Sequence, residues 1–341
     1  MPSSISSSSA LDAGGWRSTV GLALVLLVIG IGGFEAFWRS RGFQPTLRDD
    51  DALWCLERLR LPVDDPDAIA VIGSSRIHLA IQPAAFSTSG LEAPLQLAIA
   101  MAPTTPMLEH LANDSEFRGV VLAEVNPRLF FQKQRWLDVR VATKLRAWRE
   151  FDRADVFEQR LRMAVQRAAV FRLPDLSPAS LRRAFATRKL PTPSHITIEA
   201  DRTRYADFDR FAGLERKMRR IRELRETSTI AFLDKTGLTR WLARVEESVA
   251  RLHARGGDVF FVRTPTAGFI REHEAKSLPR AFYWDALAAH TVAATIHFED
   301  HPSLRHFVPI DNHHLDRQQA AAFSRALGEI VANRLRERGR T

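Results

Sequence analysis

Five short runs along the chain are almost continuously apolar and end at turn residues. They are 68–72 (AIAVI) before Gly73, 95–99 (LQLAI), 120–125 (VVLAEV) before Asn126-Pro127, 259–262 (VFFV) shortly before Thr264-Pro265, and a weaker run at 295–298 (TIHF). Strict alternation would mark a sheet with one wet face. Unbroken apolar runs predict parallel strands buried on both faces. Between the runs the spacing changes to the helical period. Residues 105–113 show it, as do 238–255, where Leu242, Val245, Val249 and Leu252 form one stripe. So do 317–338, with Ala321, Phe323, Leu327, Ile330, Val331 and Leu335 inward. Strands alternating with helices predict an open α/β sheet, with ligands at the carboxyl ends of the strands.

Residues 128–235 break this rhythm. They are Arg-rich and helical in period (WLDVRVATKLRAWREF, VFEQRLRMAVQRAAVF, LERKMRRIRELRE), and Pro174, Pro178, Pro191 and Pro193 divide them. The stretch is predicted to be a helical insertion between the third and fourth strands, capping the strand ends. Taken singly, each of its helices also fits an ordinary amphipathic helix with a solvated charged face.

Near the start, residues 18–34 (STVGLALVLLVIGIGGF) carry no charge, Glu35 follows, and Trp16 and Trp38 flank the run. A bilayer core needs about 20 apolar residues, with a lower limit near 17, and Trp is a common interfacial anchor. A cleaved leader has an apolar region of only about 7–15 residues and a small-x-small cleavage site. The run here is longer, and FEAFW is a poor cleavage site. The pattern predicts an uncleaved signal anchor over 18–38, with the lipid bilayer as partner. The chain then divides into a Ser-, Gly- and Ala-rich disordered start (1–17), the anchor (18–38), a linker (39–64) and an α/β domain (65–341) with its insertion at about 128–235. Arg17 precedes the anchor, whereas Arg39, Arg41 and Arg48 follow it. Counting positive charges places the C-terminal part in the cytoplasm.

Lys and Arg number 49 against 40 Asp and Glu, a net charge of +9. That suits an anionic partner and equally a solvated Arg-rich surface. Zinc-finger spacing, an RNA-binding aromatic signature and a basic zipper are all missing, so nucleic acid is not expected as a partner. Cys55 is the single cysteine, which excludes an internal disulfide and a cysteine-built metal cluster. His297, His301, His306, His313 and His314 are crowded, but their spacing fits no standard zinc pattern. No metal and no cofactor are expected.

Two stretches carry chemistry. The first strand ends in Val71-Ile72-Gly73-Ser74-Ser75-Arg76. A serine on a glycine-containing turn after a buried strand is held where a substrate can reach it, as in a nucleophile elbow, although G-x-S-x-G is absent. A serine there can equally cap a helix. The second stretch is Pro309-Ile310-Asp311-Asn312-His313-His314-Leu315, before the last amphipathic helix. A serine hydroxyl needs a base to take its proton, and a neutral imidazole does so at neutral pH. A carboxylate three residues earlier can hold the other ring nitrogen and stabilise the imidazolium. Asp311 can alternatively cap the last helix. Arg76, beside the serine, and Arg263, after the fourth strand, are candidate contacts for an anionic or sugar group, and a salt bridge is the plainer role for Arg263.

Together, Gly-Ser-Ser after the first strand and Asp-x-x-His-Leu before the last helix resemble the first and last sequence blocks of the SGNH (GDSL-like) hydrolases. The resemblance covers roughly residues 65–127 and 255–332. It implies a flavodoxin-like α/β/α parallel sheet, with Ser75 as nucleophile, His314 as base and Asp311 as orienting carboxylate. The order of features is closest to the membrane-anchored branch, which includes the D-alanine transfer and alginate O-acetylation proteins. By that resemblance the protein is a serine esterase or O-acyltransferase acting on acyl groups of a glycan. It would sit in the cytoplasmic membrane with its soluble domain on the periplasmic or extracytoplasmic side, against the charge count, and work beside a membrane-bound O-acyltransferase. A degenerate accessory or scaffold subunit is the alternative. Three departures from the family pattern stand in the sequence. Ser74 occupies a position that is usually Asp. The second block, LQLAIAM, has no glycine, which leaves the amide around Ala98 as oxyanion donor. Asn126 occupies the third-block position after Glu124 and Val125, where it is either an oxyanion donor or a turn residue.

Overall fold

Every apolar run forms a strand in the computed structural model, which describes residues 13–114 and 116–340. In chain order the strands are β1 (Ile69–Ile72), β2 (Leu95–Gln96), β3 (Val120–Glu124), β4 (Ile196–Ile198), β5 (Arg204–Ala206), β6 (Asp258–Arg263) and β7 (Ala294–His297). The described residues divide into two compact units: 47–163 with 194–340, and 13–46 with 164–193.

The larger unit is an α/β domain. Its five-stranded sheet runs β2-β1-β3-β6-β7, and every pair is parallel. Alternate residues of the central strands feed opposite cores. Ala70 and Ile72, Val121 and Ala123, and Val259 and Phe261 face one helical layer, which contributes Trp54, Leu108, Val245, Val249 and Trp284. Ile69 and Val71, Val120 and Leu122, and Phe260 and Val262 face the other, which contributes Ile77, Phe86, Phe323, Leu327 and Val331. Covering both faces is why these strands are apolar throughout. The order reverses direction at β1, so the carboxyl ends of β1 and β3 flank a natural crevice.

Residues 39–64 differ from the expected linker. They contain a helix, Asp51–Leu59, capped by the Asp50 carboxylate on Leu53 N. Leu53, Trp54 and Cys55 are fully buried, and Trp54 Nε1 donates to Leu97 O at 3.1 Å. The charged residues around this short apolar stretch hide its core role in the sequence. The insertion is mostly helical, as its period predicts, and it adds one hairpin. β4 and β5 pair as an antiparallel hairpin too short to stand out by pattern. Its turn places Arg202 at φ +58, with the side chain fully buried. The Arg202 guanidinium donates to the carbonyls of Gln96 and Ala98 and pairs with Asp49 at 2.8 Å. It thereby covers the exposed side of the edge strand β2.

The smaller unit contains the helix Ala13–Ser40, of which Trp16–Ser40, 25 residues, is long and apolar enough to cross a membrane. At 1.5 Å per residue that is about 37 Å, more than the hydrocarbon thickness of about 30 Å. Residues 13–17, expected to be disordered, belong to this helix, and 1–12 lie outside the described residues. Past the apolar run, Trp38 and Phe43 pack with Val170, Leu173 and Leu176. Glu35, which interrupts the run, accepts from the amides of Val170 at 3.1 Å and Phe171 at 2.9 Å.

Candidate active site

The serine turn is built by close packing. Gly73 has φ +144, and a Cβ there would lie 2.4 Å from Glu124 Cβ and 2.9 Å from Ile77 Cγ2. Only glycine lets β1 turn this tightly beside β3. Ser74 then caps the helix Ser75–Ala80, its hydroxyl accepting from Arg76 N. Its own amide donates to the Glu124 carboxylate. Capping thus falls to Ser74, which leaves Ser75 free for another role. Between Ala68 and Pro83, Ser75 is the one residue that is not buried.

Its hydroxyl lies 2.9 Å from His314 Nε2. His314 Nδ1 is 2.9 Å from Asp311 Oδ2, and His314 N donates to Asp311 Oδ1 at 2.8 Å. With Nδ1–H donating to the Asp311 carboxylate, Nε2 is left as the acceptor for the Ser75 hydroxyl. Asp311 is fully buried and does not cap the last helix, a task done by Asp316 on Gln319 N. The loop is shaped by Asn312 at φ +67, whose carbonyl accepts from Ala267 N at 2.9 Å. The structure therefore joins Ser75, His314 and Asp311 in one hydrogen-bonded chain.

The oxyanion candidates are less alike. Asn126 does reach the serine turn: its Nδ2 donates to Ser74 Oγ at 3.3 Å, and it makes no side-chain cap of the following helix, Pro127–Phe130. Ala98 is buried, with its carbonyl held by Arg202 at 2.9 Å. The next amide, Ile99 N, is taken by Gly73 O at 2.8 Å. Further along, Met101 takes φ +60, a conformation that glycine adopts without cost. Arg76 and Arg263 are both buried and converge on one carboxylate, Glu274, Arg76 through Nη2 at 2.6 Å. Arg263 also donates to Thr264 O and Thr266 Oγ1, so its pairing is internal.

Sequence reading missed four contributors. Lys217, from the insertion helix Leu214–Glu226, places Nζ 3.0 Å from Asp311 Oδ2. His195 stacks on Phe211 at 4.0 Å, close enough to sense Lys217 and Asp311. Glu124 anchors the serine turn, and Glu274 pairs the two arginines. A lysine among eight other charges in LERKMRRIRELRE gives no local sign of its target. Glu124 was visible as a carboxylate ending an apolar strand.

Burial alone would raise the Asp311 carboxyl, but His314, His313 and Lys217 outweigh it and hold the group well below the usual carboxylate range. For His314 burial dominates and lowers its pKa. Asp311 opposes that, and the positive charges of Lys217 and Arg76 reinforce it. The imidazole is therefore neutral at pH 7, as a base must be. Asp311, His313 and His314 bring possible ligand atoms within 4.8 Å of one another. Of these groups, Asp311 Oδ2 already meets the Lys217 ammonium and His314 Nε2 the Ser75 hydroxyl. No protein-family model matches the chain, and no curated protein matches its sequence.

Proposed function

We propose that this protein is a membrane-anchored serine esterase or O-acyltransferase of SGNH type. The observation that carries the reading is the chain Ser75 Oγ, His314 Nε2, His314 Nδ1, Asp311 Oδ2, with both links at 2.9 Å. In the proposed reaction the Ser75 oxygen attacks an ester carbonyl while its proton passes to His314 Nε2. The leaving alcohol takes that proton as the tetrahedral intermediate collapses to an acyl-serine. Water or a sugar hydroxyl, deprotonated by His314, then attacks the acyl-serine and frees Ser75. Asn126 would leave Ser74 to donate to the oxyanion. The strand order, the serine after β1 and the Asp-His pair before the last helix support an SGNH-like fold. The acyl-glycan substrate, the extracytoplasmic location and a partner membrane acyltransferase follow from the resemblance alone. The helix Ala13–Ser40 would be the anchor.

A silent scaffold is favoured by one observation: one N–H of the Asn126 amide is engaged by Ser74. The full-length protein in detergent, exposed to a fluorophosphonate and read by mass spectrometry, decides between them. The enzyme reading expects labelling at Ser75 that His314→Ala abolishes. An unlabelled, folded wild-type protein overturns it and leaves the scaffold.

A further inference from the structure

Next to the serine lies a group of guanidinium side chains with too few carboxylates. Arg76 follows Ser75 directly and is 2 % exposed. It spends Nη2 on Glu274 Oε1, while its Nη1 is buried with no partner. Glu274 has no oxygen to spare, because Oε2 is taken by Arg263. Two more arginines join from outside the sheet. Arg128, just past β3, donates to Ser228 Oγ at 2.8 Å. Arg225, in the last turn of the helix Leu214–Glu226, also has a buried Nη1 with no partner. That helix packs on the helix Gly268–Ser277, which carries Glu274, and Arg222 lies over Phe269 at 5.0 Å.

Buried guanidinium nitrogens without acceptors are costly, because removal from water is uncompensated. Arg76 and Arg263 bond the two oxygens of Glu274, and Arg128 and Arg225 feel its charge. Glu124 also feels the charges of Arg76 and Arg263; its Oε2 accepts from Ser74 N, its Oε1 has no hydrogen-bond partner among the described residues, and burial raises its carboxyl. Beyond burial, Arg225 is depressed by the charges of Arg76 and Arg128, with only Glu274 opposing, to about 9. The charge of Arg76 also reaches His313 and His314. The surplus is therefore positive, partly desolvated and adjacent to the nucleophile.

We infer that Arg76, Arg128 and Arg225 form an oxyanion-binding subsite beside Ser75, which takes a carboxylate or phosphate carried by the acyl substrate. Planar forks match either group, and a bound anion would supply the kind of acceptor that the orphaned nitrogens lack. This rests on the hydrolase reading for its link to a substrate, but not for the binding itself. The substrate of the proposed reaction would then be an acidic one, with its anionic group held close to the ester.

The test uses the full-length protein in detergent at constant ionic strength, with chloride replaced by inorganic phosphate or by glucuronate. Anion binding is read as a saturable rise in melting temperature. Wild type should respond to at least one of the two, and whichever binds more tightly tells phosphate from carboxylate chemistry. Arg225→Gln should weaken the response about tenfold, as expected for a lost charge-assisted bond. Arg225→Lys, which keeps the charge, should retain part of it and shows that the helix tolerates substitution. An unchanged response in Arg225→Gln, or no response of the wild type to either anion, overturns the subsite. Fluorophosphonate labelling of the same samples separates the two ideas. Anion binding without labelling removes the enzyme and keeps the subsite, and labelling without anion binding does the reverse.

Discussion

Asp311 has two claimants on one oxygen. The His314 ring and the Lys217 ammonium both meet Oδ2, at 2.9 and 3.0 Å. Lys217 disfavours a second positive charge nearby, so it lowers the pKa of His314. The active form of a general base is the neutral one, so a lowered pKa keeps it competent into mildly acidic solution. The acid limb of kcat/KM is expected below 6.5, the ordinary histidine value. Lys217→Met should raise that pKa and move the limb to higher pH, while Lys217→Arg should hold it near wild type. A pH–rate profile of the three proteins checks this. Asn126→Ala should lower kcat by about a hundredfold if its amide serves the oxyanion, with little change in KM. At Cys55, burial pushes the thiol up to about 12 and leaves no exposed surface. A maleimide should modify it only after unfolding, which mass spectrometry reads directly.

Elements decide how firmly those residues are held. The crossing of β1 and β3 at Gly73 has no room for a methyl group. Gly73→Ala should shift the serine turn and remove fluorophosphonate labelling of a protein that still has its helical circular dichroism. The helix Asp51–Leu59 is a separate support. Trp54→Ala should cost about 3–5 kcal/mol in denaturant unfolding, through a cavity and an unpaired Leu97 carbonyl. The strands were legible because burial on both faces makes them apolar without interruption, as in AVI before Gly73 and VFFV after Asp258. Ser75, Asp311 and His314 were legible because each sits beside a strand end or helix start that announces itself. The helix carrying Trp54 was not, since its charged ends look like a linker. The hairpin of β4 and β5 was hidden by its three-residue strands. Lys217 was hidden for another reason: its partner lies 94 residues away, and no local pattern encodes such a contact.

For the molecule as a whole, the apolar helix Ala13–Ser40 sets where the chemistry would happen. The protein should stay in the membrane fraction through alkaline carbonate extraction, and a chain lacking residues 13–40 should not. Arg39, Arg41 and Arg48 argue by charge for a cytoplasmic domain, whereas the proposed glycan substrate requires the opposite side. A reporter active only outside the cytoplasm, fused at the C-terminus, should be active under the proposal, and its silence would withdraw the glycan.

The 239 residues that separate Ser75 from His314 also set an order of events during synthesis. Ser75 is made early, but His314 arrives with one of the last stretches to be translated. The helix Arg317–Glu337, which completes one face of the sheet, follows still later. Under the proposed function, a nascent chain anchored by the helix Ala13–Ser40 carries an unactivated hydroxyl for most of its synthesis. Under the same reading, chain termination between residues 76 and 310 leaves an anchored protein that has the serine but neither Asp311 nor His314.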